Sequence, residues 1–285
     1  MYKNLHGLPI WVNYVTNYNG LIFCLATLNS YAWNAAGHKV VAQIAYDNLT
    51  PKAREMCYKY LRSRAHPTPN SSFVSASTWM DDIRWREVYW YDVMHYIDIP
   101  FSSDGTHIFP VESTNAVNTI KKAAAVLYSK KTTPADKKLA LRMLIHITGD
   151  IHQPLHAITR VSAQHPKGDL GGNLFYLGPN PVGTNLHQYW DNGAGFFLGH
   201  YDEERVKNTA RQLEHKLPCS LINKQTRAAK WAKMSYKLAI KNVYQLNPNE
   251  TPGAKYQENA QLLVQKQVTY AGCRLAALIN KIAQR

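Results

Sequence analysis

The sequence predicts a mostly α-helical chain folded as one multi-helix domain with a short β hairpin, and three observations predict it. Apolar residues recur at helical spacing through most of the chain, Thr-Pro pairs mark helix starts at 50–51 and 133–134, and no repeat, low-complexity tract or linker divides it. With 45% hydrophobic and 18% charged residues among 285, the composition is that of a soluble globular enzyme with enough apolar side chains for a full core.

The first element in chain order is a targeting segment. The apolar run GLIFCLATL at 20–28 follows a tail carrying Lys3 and precedes the small residues Ser30 and Ala32, the arrangement of a secretory signal peptide (1–32) cut before Trp33. That run is shorter than the roughly 20 apolar residues of a membrane span. The mature chain, 33–285, is therefore expected to be exported, secreted or periplasmic, and without stable membrane association.

After Trp33, GHKVVAQIAYDNL places Val40, Val41, Ile44 and Ala45 at helical spacing, and Thr50-Pro51 caps and opens KAREMCYKYL. Further helices are predicted in AVNTIKKAAAVLYS, in the stretch opened by Pro134, and around 203–215, 222–243 and 255–283. The exception is GDLGGNLFYLG at 168–178, where glycines flank alternating residues and predict a short hairpin or extended loop. Cys24 leaves with the leader, so Cys57, Cys219 and Cys273 remain; two of them could pair in an oxidising compartment, and the spacing leaves open which. No Cys-x-x-Cys exists, which makes cysteine a poor candidate for metal or redox chemistry. The net charge of +14 points towards polyanions, either nucleic acid or an anionic membrane surface.

The chemistry concentrates in LIHITGDIHQPLHA. His146 and Asp150 are four apart, so they project from one helical face about one turn apart and can grip one cation. Pro154 ends the helix and lets His156 return to the same place. NLHQYWD repeats the spacing with His187 and Asp191. STWMDDIRW offers Asp81 and Asp82, and VMHYIDIPF sets His95 and Asp98 between apolar residues, where an unpaired polar side chain costs about 1–3 kcal/mol. Carboxylates and imidazoles without thiolates suit Zn²⁺ in a catalytic site. His152, two residues beyond Asp150, points off that face and is expected to support the ligands from behind or to be structural, while Asp82 is expected to be solvated. His66, His107, His165, His200 and His215 have polar or loop surroundings and read as surface residues, and WREVYWYD at 85–92 reads as core in preference to the lining of a base-binding groove.

WNAAGHKVVAQIA, WMDDIR, MHYID, HITGDIHQPLH, GGN and NLHQYWD occur in that order, and the sequence so resembles the zinc-dependent class I nucleases of fungi, plants and some bacteria, which cleave single-stranded nucleic acid. The resemblance implies a phospholipase C/nuclease-type helical fold with three zinc ions in a cleft. One zinc would take Asp81, His95, His146 and Asp150, and a second would take His156, His187 and Asp191. The third would take His38, Asp150 and the α-amino nitrogen and carbonyl oxygen of Trp33, so that cleavage before Trp33 creates a ligand. A water between the two close zincs would attack phosphorus. Arg84 and Asp98 would act around that water and the scissile phosphate, Asn173 would bond a phosphate oxygen, and Tyr96 would stack on a base, a contact of about 1–3 kcal/mol.

The function so implied is endonucleolytic hydrolysis of single-stranded DNA and RNA to 5′-mononucleotides, with 3′-nucleotidase activity, by a monomer. Two rivals are an exported zinc-dependent phospholipase C and a non-catalytic, metal-stabilised nucleic-acid binder. Against the first stand WMDDIR, GGN, Asp191 where the lipases resemble one another in carrying Glu, and the basic charge. Against the second, the implied ligands exceed what a closed tetrahedral site uses.

Overall fold

The computed structural model describes residues 33–284, and the leader with Lys3, Cys24, Ser30 and Ala32 lies outside the described residues. The helices are α1 (Ala35–Asp47), α2 (Pro51–Leu61), α3 (Pro69–Ser75), α4 (Trp79–Asp82), α5 (Ala116–Tyr128), α6 (Pro134–Asp150), α7 (Leu186–Asp191), α8 (Glu203–Lys216), α9 (Ala228–Leu238) and α10 (Ala254–Ala283). Two three-residue strands, β1 (Pro100–Ser102) and β2 (Thr159–Val161), pair in parallel with Pro100 opposite Thr159.

Local chemistry fixes where the helices that carry the site begin. The Asn34 side chain accepts from the N–H groups of Ala36 and Gly37 at the start of α1, and Thr50 caps α2 ahead of Pro51. At α6, Thr133 and Asp136 cap each other's backbone while Pro134 occupies the first turn. This start sets the register that delivers His146 and Asp150 together at the far end.

Two apolar clusters hold the helices together. One joins α2, α3, α5, α6 and the end of α10 around Phe73, Leu141, Leu144 and Trp231. The other joins α1, α7, α8 and the middle of α10 around Trp33, Ile44, Trp190 and Val264. α1 contributes to both and lies along α10. The two helices approach closely because position 272 is glycine: a Cβ there would fall 2.6 Å from the Ile44 Cβ. The disulfide Cys219–Cys273 ties the segment after α8 to α10, and Cys57 is buried and free.

Three expectations change. Residues 168–178 form a series of turns, not a hairpin, with one antiparallel bridge at Tyr176–Asn185; the paired strands lie elsewhere and run parallel. The reason is that Gly168, Leu170, Gly171 and Gly172 all have positive φ, and the Asp169 side chain, not a neighbouring strand, accepts the Gly172 N–H. The helix predicted from 222 begins at Ala228, because Gln225 turns its carbonyl onto the Trp231 indole, and its last turn widens to a π-helix at Ala239–Val243. The 85–92 stretch is only partly core, with Tyr91 buried and Tyr89 49% exposed.

Candidate metal centre

α6 ends at Asp150, whose carboxylate is fully buried and sits beneath three imidazoles. His95 Nδ1 lies 3.0 Å and His146 Nε2 3.3 Å from Oδ2, and His38 Nε2 lies 3.2 Å from Oδ1. Asp81 from α4 approaches the same rings, 3.6 Å from His146, 3.9 Å from His95 and 4.0 Å from His38. His38, delivered by the first turns of α1, stacks on His146 with ring centroids 4.1 Å apart. It fits there because position 149 is glycine; a Cβ would stand 3.0 Å from the His38 Nδ1.

Next to this group, His156, His187 and Asp191 form another. Pro154 opens a single 3₁₀ turn that carries His156, and α7, capped by Asn185, carries His187 and Asp191 on one face with 3.5 Å between Nε2 and Oδ2. The His156 and His187 Nε2 atoms are 3.1 Å apart.

Backbone carbonyls aim these rings. His146 Nδ1 donates to Ser77 O, His156 Nδ1 to His95 O and His187 Nδ1 to Gly171 O, which leaves each Nε2 as the inward lone pair. Lone pairs that converge on each other, together with buried His38 Nε2, Asp81 Oδ1 and Asp150 Oδ1 that lack hydrogen-bond partners, constitute a donor set built to face a cation. Three His/Asp groups have ligand atoms within 4.8 Å of one another: His38, Asp81 and His146; His95, His146 and Asp150; and His156, His187 and Asp191. Each could hold a metal ion.

The two carboxylates differ in charge state. Burial alone would raise the Asp150 carboxyl, but His146, His38 and His95 outweigh it and hold the group well below its usual range. Burial pushes the Asp191 carboxyl well above that range; the Gln153 amide, donating to Oδ1 at 2.7 Å, opposes this only in part.

Trp33 is fully buried, its indole N–H donating to Gly149 O at 3.1 Å, while the Asn34 N–H donates to Asp191 O at 2.9 Å. Arg84 is partly buried and paired with Asp92 at 3.2 Å. Asn173 is buried, its amide donating to Leu170 O, and Tyr96 is half-buried. Asp98 is partly buried, and burial with the nearby Asp169 pushes its carboxyl up to about 7. Asp82 is exposed and accepts from the Thr78 hydroxyl. Of the five surface histidines, His66, His107, His200 and His215 are exposed and His165 is intermediate. His152 belongs to none of the three groups: its Nδ1 donates to Thr148 O, and its Nε2 accepts from Arg274 at 2.9 Å.

Several residues escaped the sequence reading. Gln153 orients Asp191, and its neighbour Pro154 was the only cue. Asp169 accepts from the Arg160 and Gly172 N–H groups and from the Tyr244 hydroxyl, fixing the glycine turn that supplies the Gly171 carbonyl and Asn173. Tyr244 stands 75 residues away from Asp169, and no local pattern announces such a pairing.

The family description "S1/P1 Nuclease" matches residues 33–284. Endonuclease 3 of Arabidopsis thaliana is 26% identical over 281 residues, 88% of each chain. Nuclease S1 of Aspergillus oryzae is 23% identical over 283 residues, 90% of this chain and 93% of its own. Nuclease P1 of Penicillium citrinum is 26% identical over 165 residues, 56% of this chain and 57% of its own.

Proposed function

The chain belongs to the S1/P1 nuclease family, and from that premise we propose that it is an exported, zinc-dependent phosphodiesterase that cuts single-stranded DNA and RNA to 5′-mononucleotides and removes the phosphate of 3′-nucleotides. The observation that carries the reading is the convergence of three buried His/Asp groups, each with ligand atoms within 4.8 Å. Nitrogen and oxygen donors without a thiolate favour zinc at a reactive rather than a closed site.

Three ions are proposed. Asp81, His95, His146 and Asp150 would hold one, His156, His187 and Asp191 the second, and His38, Asp150 and the amine and carbonyl of Trp33 the third. When bound, zinc supplies Lewis acidity that makes water nucleophilic near neutral pH and offsets phosphate charge. The chain's own groups do the rest. Arg84 offers a guanidinium whose direction Asp92 sets. Asp98, with its carboxyl near 7, can take or hold a proton at a carboxylate oxygen. The Asn173 amide would bond a phosphate oxygen, and the Tyr96 ring would stack on an unpaired base. A duplex must first unstack, at a cost of a few kcal/mol.

Export is supported by the Cys219–Cys273 disulfide, a bond of oxidising compartments. Cleavage before Trp33 would give that residue its free amine. The family match weighs against the phospholipase reading, and the oriented donor set against a passive binder.

Chromatography of digests of single-stranded DNA, single-stranded RNA and duplex, with and without chelator, tests the proposal. Expected are 5′-mononucleotides from both single strands, much slower cutting of duplex, phosphate release from a 3′-mononucleotide, and no cleavage after chelation. Products carrying 3′-phosphates, or full activity in protein shown metal-free by elemental analysis, would overturn it.

A further inference from the structure

Far from the His/Asp groups, the ends of α2, α5 and α10 and the first turn of α6 enclose a groove of about 540 Å³. Lys52, Lys59, Arg62, Lys130 and Lys137 line it against one carboxylate among the described residues, Glu55. Among the described residues, none of these five cations has a carboxylate within 4.0 Å, whereas Lys207 and Lys255 on α8 and α10 each pair with a glutamate. Lys59 and Lys137 instead gather over one tyrosine ring, their Nζ atoms 5.7 and 5.8 Å from the Tyr60 centroid. An aromatic face holds ammonium groups in place without neutralising them. Lys52 donates to the Gln284 carbonyl, which likewise leaves its charge intact.

α6 sets the distance to the metal groups. Lys137 lies in its first turn and Asp150 at its end, so at about 1.5 Å per residue the groove and the His/Asp groups are roughly 20 Å apart. A mononucleotide or dinucleotide at one place cannot touch the other, but a longer strand can.

On the nuclease reading, we propose that this groove is an accessory site for the phosphate backbone of a single-stranded polynucleotide, holding a strand whose distant part lies at the metal groups. Unpaired cations in a concave groove supply sequence-independent affinity for phosphates. An anionic membrane surface fits less well: Leu127, Ile282 and Ala283 at the groove are buried and Met56 is only partly exposed, so no large apolar side chain stands out for insertion.

The test uses the zinc-loaded protein and the charge-reversing double variant Lys59→Glu/Lys137→Glu, with Lys59→Arg/Lys137→Arg as the charge-keeping control. On a 30-nucleotide oligothymidylate the reversed variant should show KM raised about tenfold, an unchanged kcat, and a shallower dependence of log KM on log salt, by about one for each lost phosphate contact. On a dinucleotide all three proteins should match, and the Arg pair should match wild type throughout. An unchanged KM on the long strand, or an equal rise on the dinucleotide, overturns the accessory site alone. So does loss of binding to phosphatidylglycerol vesicles with unaltered kinetics on the long strand. A wild-type protein that cuts neither substrate overturns the nuclease reading and this site with it.

Discussion

The two neighbouring His/Asp groups solve the burial of charge in different ways. Around Asp150, three imidazoles face one carboxylate at 3.0 to 3.3 Å and hold it ionised against its burial. Around Asp191 there is one imidazole at 3.5 Å and one neutral amide, and the carboxyl is raised instead. A carboxylate that the protein itself does not balance is one that needs an external cation in order to stay ionised. The first group's shared carboxylate is therefore held ionised by its own imidazoles, whereas the second group's carboxylate calls for a cation.

The largest expected break in this contrast is Asp150→Asn. It keeps the size but removes the charge shared by the whole first group, so turnover should fall by more than about 100-fold, with loss of more than one metal by elemental analysis. Full retention of metal would show that the imidazoles suffice without the carboxylate. Gln153→Ala should act on the second group only, weakening one metal by roughly 10–100-fold in chelator titration and leaving the others in place.

His152→Ala separates position from chemistry on the same stretch of chain. It should retain every metal yet lose about 1–3 kcal/mol of stability in denaturant titration, since Arg274 would be left buried without its acceptor. Metal loss in that variant would place His152 inside the site.

The smallest effect concerns pH. The Asp98 carboxyl sits near 7 in the fold against 3.8 as its ordinary value, so between these values the unfolded chain ionises while the folded one holds its proton. The contribution of Asp98 to stability is full below about 4, declines as pH rises to about 7 and is flat above. Thermal melts of wild type and Asp98→Asn should differ in slope across that window alone; parallel curves would mean that Asp98 is solvated.

What was legible in the sequence was local. Two residues four apart on a helix must share a face, and a proline must stop the helix, so the pairs His146/Asp150 and His187/Asp191 and the break before His156 could be read directly. The approach of His38 to Asp81 and His146 depends on how α1 crosses α6, which no local spacing encodes. The turns at 168–178 defeated the hairpin reading for a similar reason: Asp169 satisfies the backbone there and is itself held by Tyr244 from the C-terminal part of the chain. The partner of Cys219, 54 residues away, was equally invisible. The net charge was plain, but its gathering at the start of α6 needed three helices to be brought together.

The packing of α1 along α10 sets a timetable. Asn280 reaches back to the Asn48 carbonyl across 232 residues of chain. At about 5–20 residues per second of synthesis, roughly 10–50 s separate the emergence of those two partners. Until α10 arrives, Ile44 of α1 lacks the Gly272 backbone it packs against. The α1–α10 contact can therefore close only after every element between the two helices has been made.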